Sequence, residues 1–189
     1  MTTVFEEEIR SQGDVLRHRA ELGMQQARDA AASWSDVNYA LVAARGSSDN
    51  AAVFFQYLAG QELGLLVALA TPSLFDGETS IGLDGAGVLA VSQSGRTPGL
   101  VEVVERATAQ GRPNVAITND PTSPLASAAE HVIDLRAGPE RLRTASKIRH
   151  NGSALGSRLG FVHSLKRVRI PMCQISTSTR VTPGPMSAN

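Results

Sequence analysis

The sequence has a single cysteine, Cys173, and few aromatic residues. One cysteine cannot build an internal disulfide framework or a CxxC metal site, so neither organises this chain. Aromatic residues make up 4% of the sequence, whereas hydrophobic residues as a whole make up 42%. The core must therefore be built mainly from Ala, Val, Leu and Ile. A core of that composition suits a parallel sheet covered by helices.

Long apolar runs are also missing. No stretch reaches the roughly 18 to 20 apolar residues of a membrane-spanning helix. The N-terminal stretch "MTTVFEEEIR" is acidic, where a signal peptide would be basic and then apolar. We therefore expect a cytoplasmic protein with no membrane partner.

Charge is unevenly distributed, although the formal net charge is zero. All 18 acidic residues and nine arginines lie in residues 1–140, whereas residues 141–189 hold nine Lys and Arg residues and no acid. The first lysine of the chain is Lys147. Because such a break in composition usually marks a boundary, we divide the chain into N-terminal helices at 1–36, a central domain at 37–140 and a basic tail.

Short apolar runs predict five buried strands: "YALVAAR" (39–45), "GLLVALA" (64–70), "GVLAVS" (87–92), "NVAIT" (114–118) and "HVIDL" (131–135). Helical patterns lie between them. The clearest has Thr97 as its N-cap, Pro98 as its first residue and Gly111 as its stop. Alternating strands and helices imply right-handed crossovers and a sheet covered on both faces. The predicted fold class is α/β, a three-layer αβα sandwich with a five-stranded parallel sheet.

Two polar turns stand out because each follows a predicted strand and precedes a helix. They read "RGSSDN" (45–50) and "SQSGRT" (92–97). The carboxyl ends of parallel strands meet at one edge of a sheet, where open α/β folds bind their ligands. Hydroxyl groups and helix N-termini at that edge favour an anion, so the turns predict a phosphate site that uses neither metal nor lysine. A purely structural interpretation stays open, because Ser and Thr also cap helices.

Other phosphate-binding and catalytic motifs are absent from the sequence. It contains no GxxxxGK[ST] P-loop, no HExxH, no GxSxG and no nucleic-acid-binding motif. The stretch "GAGVLA" (85–90) matches the dinucleotide fingerprint formally. Its glycines precede the predicted strand instead of following it, so we interpret this stretch as a loop.

The two turns and their surroundings resemble a known family. The segments "ARGSSDNAA", "VSQSGRTPG" and "NVAITNDPTSPLASAAEHVIDLRAGPE" are similar to the sugar isomerase (SIS) phosphosugar-binding domain. The similarity is greatest to the amino-sugar branch, which holds the isomerase part of glutamine–fructose-6-phosphate transaminase and the amino-sugar-phosphate deaminases. It covers about residues 5–140. The resemblance implies a flavodoxin-like fold and a hexose 6-phosphate ligand, such as glucosamine 6-phosphate or fructose 6-phosphate.

The resemblance also implies roles for residues of both turns. It assigns the phosphate to four residues of the second turn: Ser92, Gln93, Ser94 and Thr97. It assigns the sugar hydroxyls to the first turn: Ser48, with Gly46 and Ser47 shaping the backbone. Lys147 is a further candidate, since residues 145–147 look like a remnant of the small-residue stretch, ending in a Ser- or Thr-Lys pair, that follows in the family. Arg96 stands where relatives often carry Glu, and we expect it to attract phosphate or to point into solvent.

The resemblance leaves the catalytic residues unassigned. Family members take a base Glu and a ring-opening His from a second domain or a neighbouring subunit, and this sequence offers no counterpart that we can assign. One hypothesis is that the chain is the first half of a sugar-phosphate isomerase or amino-sugar-phosphate deaminase. The alternative is a non-catalytic module that senses a phosphosugar. We expect a homodimer, no cofactor and no nucleic-acid partner.

The basic tail at 141–189 departs from the family pattern. It has no acid and no convincing helical period, and the expected second domain does not follow. One hypothesis is a shifted reading frame in the gene, with a disordered or atypical product. The alternative is a basic tail that binds nucleic acid.

Overall fold

The computed structural model describes residues 23–75, 77, 81–135 and 161–168. The strands in these ranges are β1 (Tyr39–Ala44), β2 (Leu66–Leu69), β3 (Ala86–Val91), β4 (Asn114–Thr118) and β5 (His131–Asp134). They form a five-stranded sheet in the order β2-β1-β3-β4-β5, and every neighbouring pair is parallel. The predicted fold class is confirmed, including the flavodoxin-like strand order.

Helices cover both faces of the sheet. They are α1 (residues 23–32), α2 (Asp49–Leu63), α3 (Pro98–Ala109), α4 (Pro124–Ala128) and α5 (Phe161–Leu165). Helices α1, α2 and α5 share one core cluster with one face of the sheet. Helices α3 and α4 share a second cluster with the opposite face. Short 3₁₀ turns at Gly46–Ser48 and Pro72–Leu74 follow β1 and β2.

Successive side chains of the central strands point alternately to the two faces of the sheet and so divide the core between them. In β3, Leu89 and Val91 belong to the cluster of α1 and α2, whereas Val88 and Ala90 belong to that of α3. Successive side chains of a strand point to opposite faces, and here both faces are covered. A strand buried on both sides reads as a continuous apolar run, which is why these strands could be predicted from the sequence.

Helix α3 lies where the sequence predicts it. Thr97 occupies the N-cap position, Pro98 is the first helical residue, and Gly111 adopts a φ of 63° after the helix ends. Proline suits the first position because its fixed φ is helical and its missing N–H would have no partner there. The Thr97 side chain makes no capping hydrogen bond, so its hydroxyl is not used to hold the helix.

The interpretation of residues 85–90 as a loop is wrong for most of the stretch. Gly85 lies in a turn with a φ of 73°, but Gly87 lies inside β3. A Cβ atom on Gly87 would come within 2.8 Å of the Trp34 ring. Glycine is therefore needed there because the buried indole packs directly on the strand backbone.

Helix α5 lies within the basic tail and was not predicted. Phe161, Val162 and Leu165 are at most 1% exposed and belong to the core cluster of α1 and α2. The ring centroids of Phe161 and Trp34 lie 4.9 Å apart in an edge-to-face arrangement. A helix of five residues is too short to show a hydrophobic period in the sequence.

The remaining predictions for the chain ends concern residues outside the described ranges. These are residues 1–22 of the N-terminal helices, Lys147 and most of the tail. Among the described helices, none combines the length and the apolar character that crossing a bilayer requires.

Candidate functional site

Strands β1 and β3 are neighbours at the centre of the sheet, and the chain leaves them toward opposite faces. Helix α2 packs on one face and α3 on the other. Such a change of direction opens a crevice at the carboxyl edge of the sheet. The register pairs Ala44 with Val91, the last residues of the two strands. The two polar turns predicted from the sequence therefore begin side by side.

The turn at 92–97 is fixed by hydrogen bonds to the neighbouring elements. The Gln93 carbonyl accepts hydrogen bonds from the Asn119 N–H at 3.0 Å and from the Thr118 hydroxyl at 3.1 Å. The Gly95 carbonyl accepts one from the Leu125 N–H at 3.0 Å. Strand β4 and helix α4 thus hold the backbone of this turn in place.

Ser92 and Ser94 also use their hydroxyl oxygens within the turn. The Ser92 Oγ accepts a hydrogen bond from the Gly95 N–H at 3.2 Å, and the Ser94 Oγ accepts a longer one, 3.3 Å, from the Arg96 N–H. Ser92 is buried, whereas Ser94 is exposed. A hydroxyl that accepts a hydrogen bond can still donate its own hydrogen. Both side chains can therefore shape the turn and bind an anion, a double use that the sequence did not reveal.

Gly95 is required by the shape of this turn. Its φ is 61°, in the left-handed region that disfavours side chains. A Cβ atom on Gly95 would lie 2.0 Å from the Ser123 Oγ. Ser123 is fully buried and caps α4 by accepting a hydrogen bond from the Ala126 N–H at 3.3 Å. The turn and the start of α4 are packed too closely for any residue larger than glycine.

The start of α3 adds an electrostatic component to the site. Gly99 lies in the first turn of this helix, where backbone N–H groups have no preceding helical turn to supply carbonyl acceptors. The aligned peptide dipoles place about half a positive charge at this end. Thr97, half-buried beside it, offers a hydroxyl that makes no capping bond.

The turn at Gly46–Ser48 is built differently. It runs directly into α2, whose first turn contains Asp49 and Asn50. Ser48 occupies the N-cap position and is 6% exposed. Its side chain makes no capping bond and no hydrogen bond with the described residues. The hydroxyl at this turn is therefore still available to a ligand.

Arg96 has a partner that the sequence analysis missed. Its side chain is 65% exposed and donates a hydrogen bond to the Asp120 carboxylate at 3.1 Å. The Thr122 hydroxyl and N–H donate to the same carboxylate at 2.6 and 3.0 Å. These bonds from Thr122 and, to a smaller extent, the contact with Arg96 lower the pKa of Asp120. The stretch "NDPTS" could have predicted the bonds from Thr122, because an Asp side chain commonly accepts hydrogen bonds from the residue two positions later.

The histidines in the described ranges belong to neither of the two turns. His131 begins β5, as predicted, and so stands at the amino edge of the sheet. His163 lies in α5, on the face that α2 covers. Within the described parts of the chain, no group of three or more His, Cys, Asp and Glu side chains is positioned to hold a metal ion.

Comparison with known proteins identifies the family of this chain. A family model described as the SIS domain matches residues 35–154. The chain belongs to the SIS domain family. The resemblance inferred from the sequence is thereby confirmed.

Curated relatives of this SIS domain include N-acetylmuramic acid 6-phosphate etherases. The chain is 36% identical over 83 residues to the one from Streptomyces avermitilis, a match that covers 44% of the chain and 26% of the etherase. It is 39% identical over 87 residues to the one from Symbiobacterium thermophilum, covering 41% and 29%. The chain thus spans between a quarter and a third of the length of these relatives.

Solved structures share the fold over most of the chain. A Silicibacter pomeroyi protein assigned as a phosphosugar isomerase superimposes with a TM-score of 0.78 and 33% identity, over 85% of this chain and 50% of that one. The C-terminal domain of glucosamine-fructose-6-phosphate aminotransferase from Francisella tularensis gives 0.73 and 19%, over 89% and 49%. The Vibrio vulnificus NanR protein complexed with ManNAc-6P gives 0.68 and 22%, over 87% and 63%. The last two show the shared fold alone.

Proposed function

We propose that this SIS domain binds a hexose 6-phosphate at the carboxyl edge of β1 and β3. The observation that carries the proposal is the side-by-side start of two hydroxyl-rich turns at the point where the chain changes direction. In such folds, ligands bind in the crevice at that point. The domain then acts as one half of a sugar-phosphate isomerase or amino-sugar-phosphate deaminase.

The phosphate is assigned to the turn at 92–97 and the start of α3. Its donors are the side chains of four residues: Ser92, Gln93, Ser94 and Thr97. Each hydrogen bond to a charged oxygen contributes roughly 1.5–3 kcal/mol. Because β4 and α4 already hold the backbone of this turn, little ordering is needed when the ligand binds.

The sugar is assigned to the turn at Gly46–Ser48. Ser48 is 6% exposed as a residue, and its hydroxyl makes no hydrogen bond with the described residues. A serine hydroxyl both donates and accepts hydrogen bonds, so it can pair with a sugar hydroxyl here. Ser47 is half-buried beside it, and Gly46 leaves open space above the backbone.

The names of related proteins support this class of ligand. N-acetylmuramic acid 6-phosphate, fructose 6-phosphate and ManNAc-6P are all six-carbon sugars with a phosphate on carbon 6. Two of the three are N-acetylated amino sugars. A hexose 6-phosphate, with or without a nitrogen substituent, is therefore the class that we propose for this chain.

Turnover requires more than binding. Aldose–ketose isomerisation needs a base that moves a proton between two neighbouring carbons. His131 begins β5 and His163 lies in α5, so neither belongs to the two turns. We therefore propose that a second copy or a second domain supplies the base, consistent with a homodimer. A module that binds a phosphosugar without turnover is the competing function.

Calorimetric titration of the full chain tests the proposal. We expect saturable binding of glucosamine 6-phosphate, fructose 6-phosphate or N-acetylmuramic acid 6-phosphate. Unphosphorylated glucosamine serves as the matched control and should bind at least about tenfold more weakly, because it lacks the charge-assisted hydrogen bonds. Incubation with each ligand, followed by product analysis, separates the two functions. Product formation supports the enzyme, binding alone supports the sensor, and no saturable binding contradicts both.

A further inference from the structure

Two arginines flank the proposed phosphate position, and they differ in their partners. Arg96 belongs to the turn at 92–97 and donates to the Asp120 carboxylate. Arg45 directly follows β1, is exposed, and makes no hydrogen bond or ion pair with the described residues. Of the two cations, Arg45 is the one whose charge is not already paired.

The backbone places the Arg45 side chain on the same face of the sheet as Ser92. Arg45 has a φ of −149° and a ψ of 145°, so the extended conformation of β1 continues through it. Leu41 and Ala43 belong to the core cluster of α3, and alternation puts Arg45 on that face as well. Ala90 of β3 belongs to the same cluster, and alternation places Ser92, two residues later, on that face too.

The register also places these two residues next to each other. Ala44 pairs with Val91, so Arg45 and Ser92 are the next residues along two neighbouring parallel strands. Neighbouring strands lie about 4.8 Å apart, a gap that an arginine side chain can span. The N-terminus of α3 lies on the same face. Arg45, the serine hydroxyl and the helix dipole therefore converge on one side of the crevice.

We propose that Arg45 binds the ligand phosphate directly, as the full positive charge of a site otherwise made of neutral donors. This inference rests on the proposed function. A planar guanidinium can donate two parallel hydrogen bonds to phosphate oxygens, which makes the contact both strong and directional. Arg96 would have to give up its bond to Asp120 to do the same. The phosphate thus lies between Arg45 on one side and the turn at 92–97 on the other.

Titration of three variants tests the inference. Arg45→Gln should raise the Kd of glucosamine 6-phosphate about tenfold or more, the usual cost of losing a charge-assisted contact. Arg45→Lys keeps the charge but cannot donate two parallel hydrogen bonds from a planar group, so its Kd should lie between those of wild type and Arg45→Gln. Arg28→Gln is the matched control, because Arg28 is an exposed arginine of α1, which packs on the opposite face. Its Kd should equal that of wild type.

Two further measurements make the result specific. The Kd of wild type should rise with sodium chloride concentration more steeply than that of Arg45→Gln, because salt screens a charge that the variant lacks. Thermal unfolding should show equal midpoints for wild type and both Arg45 variants, since the side chain is exposed.

The outcomes separate this inference from the proposed function. If wild type binds the phosphosugar and Arg45→Gln binds it equally well, Arg45 is not a phosphate contact and the proposed function stands. If Arg45→Gln weakens glucosamine and glucosamine 6-phosphate by the same factor, the residue contacts the sugar and the inference is wrong. If wild type binds no phosphosugar, both are wrong.

Discussion

The two turns at the carboxyl edge of the sheet resemble each other in sequence but differ in construction. The turn at 92–97 is tied to β4 and α4 through its carbonyl groups, and its own serines accept hydrogen bonds from its backbone. The turn at Gly46–Ser48 has no side-chain cap, and the Ser48 hydroxyl lacks a partner among the described residues. One turn is held rigidly by the fold, whereas the other keeps its polar groups available.

This difference fits the two roles that we propose for the turns, phosphate binding and sugar binding. A phosphate needs several donors at fixed positions, and a turn held by its neighbours provides them without further ordering. A sugar ring needs hydroxyl partners that are not already used. Removing a hydroxyl from the turn at 92–97 should therefore affect folding and binding together, whereas removing one from the turn at Gly46–Ser48 should affect binding alone.

The largest effect should come from placing a methyl group on the glycine of each turn. Gly95→Ala should lower the free energy of unfolding by about 2–4 kcal/mol, because it combines an unfavourable φ with a clash against Ser123. Gly46→Ala has a similar φ of 64° but open space around the new Cβ. It should cost only about 1 kcal/mol. Urea denaturation measures both, and equal losses would contradict the difference in packing.

The next effect concerns the paired serines. Ser48→Ala should leave the free energy of unfolding unchanged, because its hydroxyl has no partner among the described residues. It should nevertheless weaken binding of glucosamine 6-phosphate about tenfold. Ser92→Ala should weaken binding and also lower the free energy of unfolding by about 1 kcal/mol, because the Gly95 N–H loses its acceptor.

Calorimetry and urea denaturation of the two serine variants give a direct comparison. Should Ser48→Ala prove as destabilising as Ser92→Ala, the turn at Gly46–Ser48 would be held by its side chains after all. Should Ser92→Ala bind as well as wild type, the Ser92 hydroxyl would serve the turn alone.

The smallest effect should come from the ion pair at the outer side of the turn at 92–97. The pKa of Asp120 is lowered in the folded protein, first by Thr122 and then by Arg96. Its contribution to stability is therefore complete above the usual carboxyl pKa of about 3.9 and is lost as the pH falls through the lowered value. Asp120→Asn should reduce the urea midpoint slightly at neutral pH. The difference from wild type should shrink in acid.

Asp36→Asn provides the control for this pH series. Asp36 is exposed and makes no hydrogen bond or ion pair with the described residues. Its removal should produce no such pH-dependent difference. A constant difference between Asp120→Asn and wild type from neutral to acidic pH would mean that the Asp120 charge does not stabilise the turn.

The sequence predicted what depends on short-range patterns. Apolar runs marked the strands, Thr97 and Pro98 marked the start of α3, and the family resemblance implied the flavodoxin-like fold. It could not predict contacts between distant segments. Arg96 and Asp120 are 24 positions apart, and Lys166 pairs with Glu62 across 104 positions. Such pairs depend on the folded path of the chain, which no local period records.

The site itself was predicted in outline only. The position of both turns followed from residue types that cap helices and line the carboxyl edge of a sheet. The use of the Ser92 hydroxyl by its own turn, and the lack of a partner for Arg45 within the described ranges, are properties of the folded backbone. The assigned roles of the turn residues and of Lys147 remain predictions.

Trp34 is the only tryptophan in the chain, is fully buried, and lies between the backbone of β3 and the ring of Phe161. The molecule thus contains a built-in optical probe at the opposite edge of the sheet from the proposed ligand. Its indole fluorescence reports whether the helical layer that contains α5 is closed over the strands. The emission maximum of this ring would shift to longer wavelength when that layer opens, and ligand binding alone would leave the maximum unchanged.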